Sequence, residues 1–239
     1  TIEDLAEQKC EYVAPISTHY QGHEIFECPP NGQGIIALLI LNILEQFEDD
    51  YSEAENVHLL AESTKLAYQH RDAFVADPSK ADVPVEMLLS KNTAINLAEK
   101  VSMEQARPDA PFKGVEHKDT VYLCVVDNQG NAISFINSLF NAFGSTLFDA
   151  ESGILFHSRG TGFSLTEGHP NELTPHKRPL NTIIPGMVMK DDEVVAPFGV
   201  MGGQYQATGH ANFLERVLRR GMSVQEALDQ PRSFAYGGP

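Results

Sequence analysis

Thr120-Val-Tyr-Leu-Cys-Val-Val126 is rich in residues that favour β-strands, and a second such run, Asn131-Ala-Ile-Ser-Phe-Ile-Asn137, follows it closely. The residues between the two runs, Asp127-Asn-Gln-Gly130, are typical of a tight turn. The sequence therefore predicts a β-hairpin over residues 120–137, which is the strongest local pattern in the chain.

Downstream of this hairpin the pattern predicts a loop-rich stretch from Asn141 to Arg178, because glycines and prolines are frequent there. A second pair of strands is predicted at 182–189 and 193–200, turning through Lys190-Asp191-Asp192. Two helices are predicted to follow, at about 204–220 and 223–229. Ser223 and Glu226 have the spacing of a capping box, which predicts the start of the second helix.

Upstream of the hairpin, residues 106–119 lack hydrophobic periodicity and predict a linker or an exposed loop. Helical spacing before it predicts a buried helix at 34–47 and a long helix at about 53–74, opened by the capping-box pair Ser52 and Glu55. Shorter helices are predicted at about 84–90 and 92–104. Helices, then strands, then helices predict an α+β fold in which helices cover antiparallel sheet, in a layered or αββα arrangement.

Composition excludes several classes of protein. The chain has 239 residues, 42% of them hydrophobic, which is enough for a sizeable core. Its 33 acidic and 17 basic residues give a formal net charge of -16, which opposes binding to nucleic acid. The longest apolar run, Ile35 to Leu44, is too short to span a bilayer, so no membrane association is expected.

The expected compartment rests on the cysteines and on the start of the chain. The cysteines are odd in number and widely spaced, which indicates reduced thiols and favours the cytoplasm: Cys10, Cys28 and Cys124. Thr1 to Glu11 has no signal-peptide pattern and no initiating Met, so we expect the numbering to begin inside a longer polypeptide. An export signal upstream of residue 1 would instead indicate the periplasm or secretion.

Neither a metal site nor a cofactor is expected. The nine histidines show no HExxH or comparable ligand spacing. Gly32-x-Gly34 is too short for a dinucleotide-binding fingerprint, and the preceding Pro29-Pro30 is a poor end for a central parallel strand.

Several short motifs occur together in the order and spacing of the small subunit of γ-glutamyltransferases: Asp127-Asn-Gln-Gly-Asn131, Phe143-Gly144, Glu151-Ser-Gly-Ile-Leu155, Lys177-Arg-Pro-Leu180, Pro185 and Gly202-Gly203. Upstream motifs resemble the end of that family's large subunit: Pro29-Pro30 to Gly34, Leu41-Asn-Ile-Leu44, His58 through Ala67-Tyr68 to Arg71, and Asp77-Pro78. The resemblance covers about residues 22–104 and 120–232. It implies a four-layer αββα N-terminal-nucleophile hydrolase fold.

The resemblance also implies a division of the chain and a set of catalytic residues. Residues 1–119 would be the C-terminal part of a large subunit, mostly helical and ending in a linker, and residues 120–239 the small catalytic subunit. A precursor of this family cleaves itself before a Thr, which here is Thr120, and the freed α-amino group then accepts the proton of the hydroxyl nucleophile. Gly202 and Gly203 resemble the glycine pair that binds the oxyanion, and Ser138 replaces a Thr that hydrogen-bonds the nucleophile.

Departures from the family concern substrate recognition. Phe140 replaces an Asn near the substrate carboxylate, and Gly162 replaces an Asp that pairs with the substrate α-amino group. Asn181-Thr182 replaces a pair of serines and keeps hydrogen-bonding capacity. Arg159 offers a bidentate donor for a carboxylate, although an exposed structural arginine is the alternative interpretation.

These residues predict a self-cleaving amidohydrolase that acts on a small acidic amide through an acyl-threonine intermediate. Arg159, Asn181 and Thr182 are the expected substrate-binding residues. Relatives described as cephalosporin-acylase-like or oxamate-amidohydrolase-like share the family framework without needing a contact to an α-amino group. Two alternatives remain open: a γ-glutamyltransferase with an altered pocket, and an inactive family member that is never processed. The expected partners are the amide substrate, the upstream part of the large subunit, and further copies in a homodimer or a heterotetramer of processed subunits.

Overall fold

The computed structural model describes residues 2–7, 9–48, 50–108 and 118–235. Its regular elements, in chain order, are α1 (Ile2–Glu7), β1 (Ile16–Tyr20), β2 (His23–Glu27), α2 (Gly34–Leu44), α3 (Glu53–Phe74), α4 (Val85–Leu88), α5 (Lys91–Ala98), β3 (Lys118–Val126), β4 (Ala132–Asn141), β5 (Phe148–Asp149), β6 (Ile154–Leu155), β7 (Gly186–Lys190), β8 (Glu193–Phe198), α6 (Gln206–Leu214) and α7 (Val224–Asp229). A mixed fold of helices and sheets, as predicted, is confirmed.

The main sheet has four antiparallel strands in the order β1-β2-β7-β8. Its central pairing joins β2 to β7, with Phe26 opposite Met187. Strands from before and after residue 120 therefore share one sheet. The β1–β2 hairpin, absent from the sequence-based prediction, turns through Gln21 and Gly22, which both have positive φ.

Helix α2 is the centre of the core. Every one of its residues from Gly34 to Leu44 is buried, and it packs against α3, α6 and the first two strands. Its first residue is a glycine because a Cβ at position 34 would lie 2.7 Å from the carbonyl oxygen of Cys28. A buried helix in this region is confirmed, although it ends at Leu44 and not at residue 47.

Helix α3 carries one wall of the candidate site in its last turn. Its predicted limits and its capping box are confirmed: the Ser52 N–H donates to Glu55 Oε2 at 2.8 Å, and the Glu55 N–H donates to Ser52 Oγ. Leu59, Leu66 and Tyr68 pack into the core, and Arg71 is buried near the C-terminal end.

The central β-hairpin is confirmed and is longer than predicted, with Asp127 Oδ1 accepting the N–H groups of Gln129 and Asn131 in its turn. It packs against the end of β8. The ring of Tyr122 lies so close to Gly199 that a Cβ there would be 2.2 Å from it. Ser134 Oγ also donates to the carbonyl oxygen of Phe198 at 3.1 Å.

Several predicted boundaries are wrong. The strand predicted from 182 begins at Gly186, because residues 181–184 are held by the segment before α2 and Pro185 has no N–H for a ladder. The helix predicted to reach 104 ends at Ala98, and the one predicted at 84–90 is a single turn.

The last helices also differ in detail from the prediction. The helix predicted at 204–220 is a 3₁₀ turn, then α6, then a π-helical turn at Glu215–Arg219. α7 and its capping box between Ser223 and Glu226 are confirmed. Most of the predicted linker, 109–117, lies outside the described residues, and its last two residues belong to β3. None of the helices in the described ranges is both long and apolar enough to cross a membrane.

Candidate active site

Thr120 lies in β3 and is 8% exposed. Its Oγ1 donates a hydrogen bond of 2.9 Å to Oγ of Ser138, the residue opposite it in β4. The register shifts between Asp119 and Thr120, so that Asp119 pairs with Phe140 and Leu139 is the extra residue of a bulge. The bulge turns the backbone immediately after Ser138.

Phe140 links this hydroxyl pair to a cavity. Its N–H donates to Ser138 Oγ at 3.0 Å. Its φ is +75°, in the left-handed region that a residue with a large side chain rarely adopts. In this conformation Phe140 lines a cavity of about 160 Å³.

Arg159 lines the same cavity and is buried, which contradicts the alternative of an exposed structural arginine. Its Nη1 donates to Oγ1 of Thr182 at 3.0 Å, and its guanidinium carbon lies 5.4 Å from the centroid of the Phe140 ring. Burial lowers the pKa of Arg159 to about 10, so the group stays charged at neutral pH. Gly162 lies on the same wall.

Gln33 ties this cavity to the glycine pair. Its Nε2 donates to the carbonyl oxygen of Thr182 and to that of Gly203, each at 3.1 Å. The side chain is fully buried in the turn that leads into α2. One amide from before the proposed cleavage point therefore fixes two segments that follow it.

The glycine pair forms a turn that leads into α6. Gly202 has φ of +141° and Gly203 has φ of +58°, and a Cβ on Gly202 would lie 3.2 Å from the Tyr205 ring. Their carbonyl oxygens accept from the Tyr205 N–H and the Gln33 amide. Within the described ranges no hydrogen bond from either glycine N–H is found.

Comparison with known proteins identifies the family. The family model described as Gamma-glutamyltranspeptidase matches residues 1–236. The chain belongs to this family. It is 39% identical over 235 residues to the Glutathione hydrolase-like YwrD proenzyme of Bacillus subtilis, and 34% identical over 233 residues to the Oxamate amidohydrolase proenzyme of Klebsiella pneumoniae.

Each of these two matches covers 97% of the chain but only 44% of the relative, so the chain spans less than half the length of either protein. Among solved structures, the cephalosporin acylase from Bacillus halodurans matches with a TM-score of 0.88 and 41% identity, over 97% of this chain and 42% of that one. The two curated relatives are named as proenzymes, one glutathione hydrolase-like and one an oxamate amidohydrolase.

A buried hydrogen bond supports the segment that leads to the Gly202-Gly203 turn. Nδ1 of His210 lies 2.6 Å from Oε1 of Glu27, and neither side chain is exposed. His210 Nε2 accepts the Val200 N–H at 3.2 Å, so Nδ1 carries the proton that bonds Glu27. Burial raises the pKa of Glu27, while the contact with His210 opposes that shift.

The structure does not bring all of the predicted site residues onto one surface. Asn181 lines a second cavity of about 520 Å³, and its Oδ1 accepts the Ile183 N–H at 3.2 Å. Thr120 does not line the 160 Å³ cavity itself; it reaches that cavity through Ser138 and Phe140. The other predicted substrate residues, Arg159 and Thr182, are in direct contact.

Two further residues of the site were missed in the sequence. Gln33 lies in the turn Asn31-Gly-Gln-Gly34, where two glycines left its side chain without an assigned role. Arg71 was noted only as part of a family motif, yet it lines the cavity with Arg159. In the ranges that the structure describes, no group of three His, Cys, Asp or Glu residues could hold a metal ion.

Proposed function

We propose that this chain is the C-terminal part of a precursor that cleaves itself before Thr120 and then hydrolyses a small acidic amide through an acyl-threonine intermediate. One observation carries the proposal. The hydroxyl of Thr120 is hydrogen-bonded to Ser138, and Ser138 in turn holds Phe140 at a cavity that is also lined by Arg159. A hydroxyl nucleophile and a carboxylate-binding group are thus connected over three neighbouring contacts.

Self-cleavage divides the chain into residues 1–119 and 120–239. Water adds across the peptide bond between Asp119 and Thr120, which leaves a carboxyl group on Asp119 and an α-amino group on Thr120. Such an amine has a pKa of about 8, so roughly a tenth of it is an unprotonated base at pH 7, and the fraction rises as the pH approaches 8. The hydroxyl and its base then belong to the same residue.

Turnover follows from this arrangement. The α-amino group accepts the proton of Oγ1 while Oγ1 attacks the carbonyl carbon of the amide. The N–H groups of Gly202 and Gly203 stabilise the oxyanion, and donors of this kind typically contribute about 10²–10³ in rate. The leaving amine takes the proton, an ester forms on Thr120, and water then releases the acid.

The cavity favours an acidic substrate without an α-amino group. Arg159 supplies the positive charge for a carboxylate, and Thr182 orients the guanidinium. Phe140 and Gly162 provide no side-chain acceptor for an ammonium group. The relative named as an oxamate amidohydrolase fits this chemistry better than the relatives named as glutathione hydrolases. Asn181, on the second cavity, would act by holding the turn that carries Thr182.

The αββα architecture requires a second sheet, and we infer that the upstream part of the precursor completes it. One face of β3–β4 is apolar and exposed, with Val121, Leu123, Val125, Ile133 and Phe135 along it. An uncovered apolar face of this extent normally marks an interface. The relatives are more than twice as long as the region they share with this chain, so the upstream half of the large subunit is the proposed partner.

Mass spectrometry of the full-length protein tests the proposal. The expected result is two fragments, one of which begins at Thr120, and a covalent adduct on that fragment when a slow acidic amide is added. Thr120→Ala should give one uncleaved and inactive chain, whereas Thr120→Ser should retain slow cleavage. An active Thr120→Ala protein would contradict the proposal, and transpeptidation from γ-glutamyl-p-nitroanilide to a dipeptide would favour a γ-glutamyltransferase.

A further inference from the structure

Two arginines from distant parts of the sequence line the 160 Å³ cavity. Arg71 belongs to the last turn of α3, and Arg159 begins the 3₁₀ turn at Arg159–Gly162. Each is only 5% exposed. Two buried guanidinium groups at one small cavity are costly unless anionic partners offset the loss of hydration.

The internal contacts leave part of each guanidinium unsatisfied. Arg159 bonds Thr182 through Nη1, but its buried Nη2 has no hydrogen-bond partner among the described residues. Arg71 bonds Asp72 through Nε at 2.7 Å, and its buried Nη1 likewise has no partner in those ranges. Both free nitrogens belong to residues that line the cavity.

Charge in the cavity is not balanced by the protein. Asp72 is the one carboxylate among the described lining residues, and its side chain is 63% exposed and already engaged with Arg71 Nε. Arg159 forms no ion pair within the described ranges. Arg71 is further held by the Tyr68 ring, 4.2 Å from its guanidinium carbon, so the group is fixed in position.

We propose that Arg71 and Arg159 form a two-guanidinium subsite that binds the free carboxylate of a short dicarboxylic acid half-amide. This inference rests on the proposed function and adds the second arginine and the substrate class. Carboxylate oxygens match the N–H groups of guanidinium in geometry and charge. A cavity of about 160 Å³ has room for roughly five water-sized groups, which limits the acid to a short chain.

The same subsite excludes substrates that carry an ammonium group next to the carboxylate. An ammonium in this cavity would meet two positive charges. The lining carboxylate, Asp72, is already engaged with Arg71 Nε, and Gly162 offers no side chain to compensate. Glutarate and glutamate therefore form a matched pair of probes, because they differ only by the α-ammonium group. Glutarate is expected to bind at least about 10-fold more tightly, which corresponds to about 1.4 kcal/mol.

The experiment is calorimetric titration of the full-length Thr120→Ala protein, which removes turnover and keeps every residue that lines the cavity. Arg71→Gln and Arg159→Gln should each weaken glutarate binding by roughly 10-fold or more, as expected for the loss of a charged hydrogen bond. Arg220→Gln, at an ion pair with Glu53 remote from this cavity, is the matched control and should change affinity less than about 2-fold.

Several outcomes would overturn the inference: no glutarate binding, equal binding of glutarate and glutamate, or unchanged affinity in Arg71→Gln. Should the glutamine variants fail to fold, the comparison of glutarate with glutamate in the Thr120→Ala protein decides alone. Failure of the proposed function is seen separately, because loss of cleavage before Thr120 in the wild-type protein does not alter binding to the arginine cavity.

Discussion

Oγ1 of Thr120 donates its hydrogen bond to Oγ of Ser138 across the β3–β4 ladder. The same Ser138 oxygen accepts the Phe140 N–H, so one hydroxyl orients the proposed nucleophile and one wall of the cavity together. Side chains with two such roles are sensitive to the loss of a single atom.

Ser138→Ala should slow self-cleavage and turnover by roughly 5-fold, since a lost hydrogen bond to the nucleophile is worth about 1 kcal/mol. Ser138→Thr keeps the hydroxyl and should remain close to the wild type. Ser152→Ala, in an exposed turn where the hydroxyl donates to Asp149, is the control. The fraction of cleaved chain over time on denaturing gels measures the effect, and equal rates for Ser138→Ala and wild type would argue against the assigned role.

Gly202→Ala tests the glycine turn. The φ of +141° is unfavourable for any residue with a Cβ, and the new atom would press on Tyr205, so the N–H groups should move out of line. We expect kcat to fall by about 10²–10³, the usual effect of removing an oxyanion donor. Gly160→Ala, where the Cβ meets open space, should keep its activity. Similar kcat values in the two variants would show that the turn has no catalytic role.

Gln33→Leu should lower both stability and kcat. The change leaves the carbonyl oxygens of Thr182 and Gly203 without the amide donor, at a cost of about 2–4 kcal/mol in the free energy of unfolding. Because the Gly202-Gly203 turn then loses its hydrogen bond from Gln33, kcat should fall by roughly 10-fold while KM changes less. Gln46→Leu, an exposed glutamine with one bond to the Asn42 carbonyl, is the comparison for urea unfolding and kinetics.

The environment of Asp77 predicts that the stability of the folded protein falls in acid. Asp77 joins the segment after α3 to the loop that precedes β7. Burial alone would raise the pKa of this carboxyl, but hydrogen bonds from Arg178 and Ser79 outweigh it and lower the pKa to about 2. A lowered pKa in the folded state stabilises the protein above the ordinary value of 3.8 and loses that effect as pH falls toward 2.

The contribution of Asp77 is about 2 kcal/mol at neutral pH. Asp77→Asn should therefore lower stability at pH 7 and flatten its decline between about pH 4 and 2, measured by urea unfolding at several pH values. Asp192→Asn, in an exposed turn, should follow the wild-type curve. An Asp77→Asn protein with an unchanged acid slope would mean that another carboxylate controls this decline.

Much of the fold could be predicted where one segment carries its own signal. The capping-box pair of Ser52 and Glu55 and the apolar run of α2 fixed those helices closely. The β1–β2 hairpin was missed because His19, His23 and Glu24 weaken its hydrophobic alternation. The late start of β7 could not be predicted, since it depends on contacts of residues 181–184 with a segment about 150 positions earlier.

In the candidate site, too, residues within recognisable motifs could be predicted, and residues that depend on distant contacts could not. Thr120, Ser138 and the glycine pair were named because they lie at positions of family motifs, and their catalytic roles stay predictions. Arg71 and Gln33 could not be assigned from the sequence, because their importance arises from partners that are distant in the chain. The burial of Arg159 could not be predicted from the sequence either, since its neighbours Ser158 and Gly160 do not indicate a core position.

The pairing of β2 with β7 joins the two fragments that cleavage before Thr120 would produce. Each fragment would hold two strands of a sheet that is complete only when both are present, and α2 would lose the cover that α6 provides on separation. Produced as separate polypeptides, the two fragments would each expose a bare strand edge, a surface prone to aggregation. One continuous precursor avoids this hazard, because the two halves find each other at the high local concentration of a single chain.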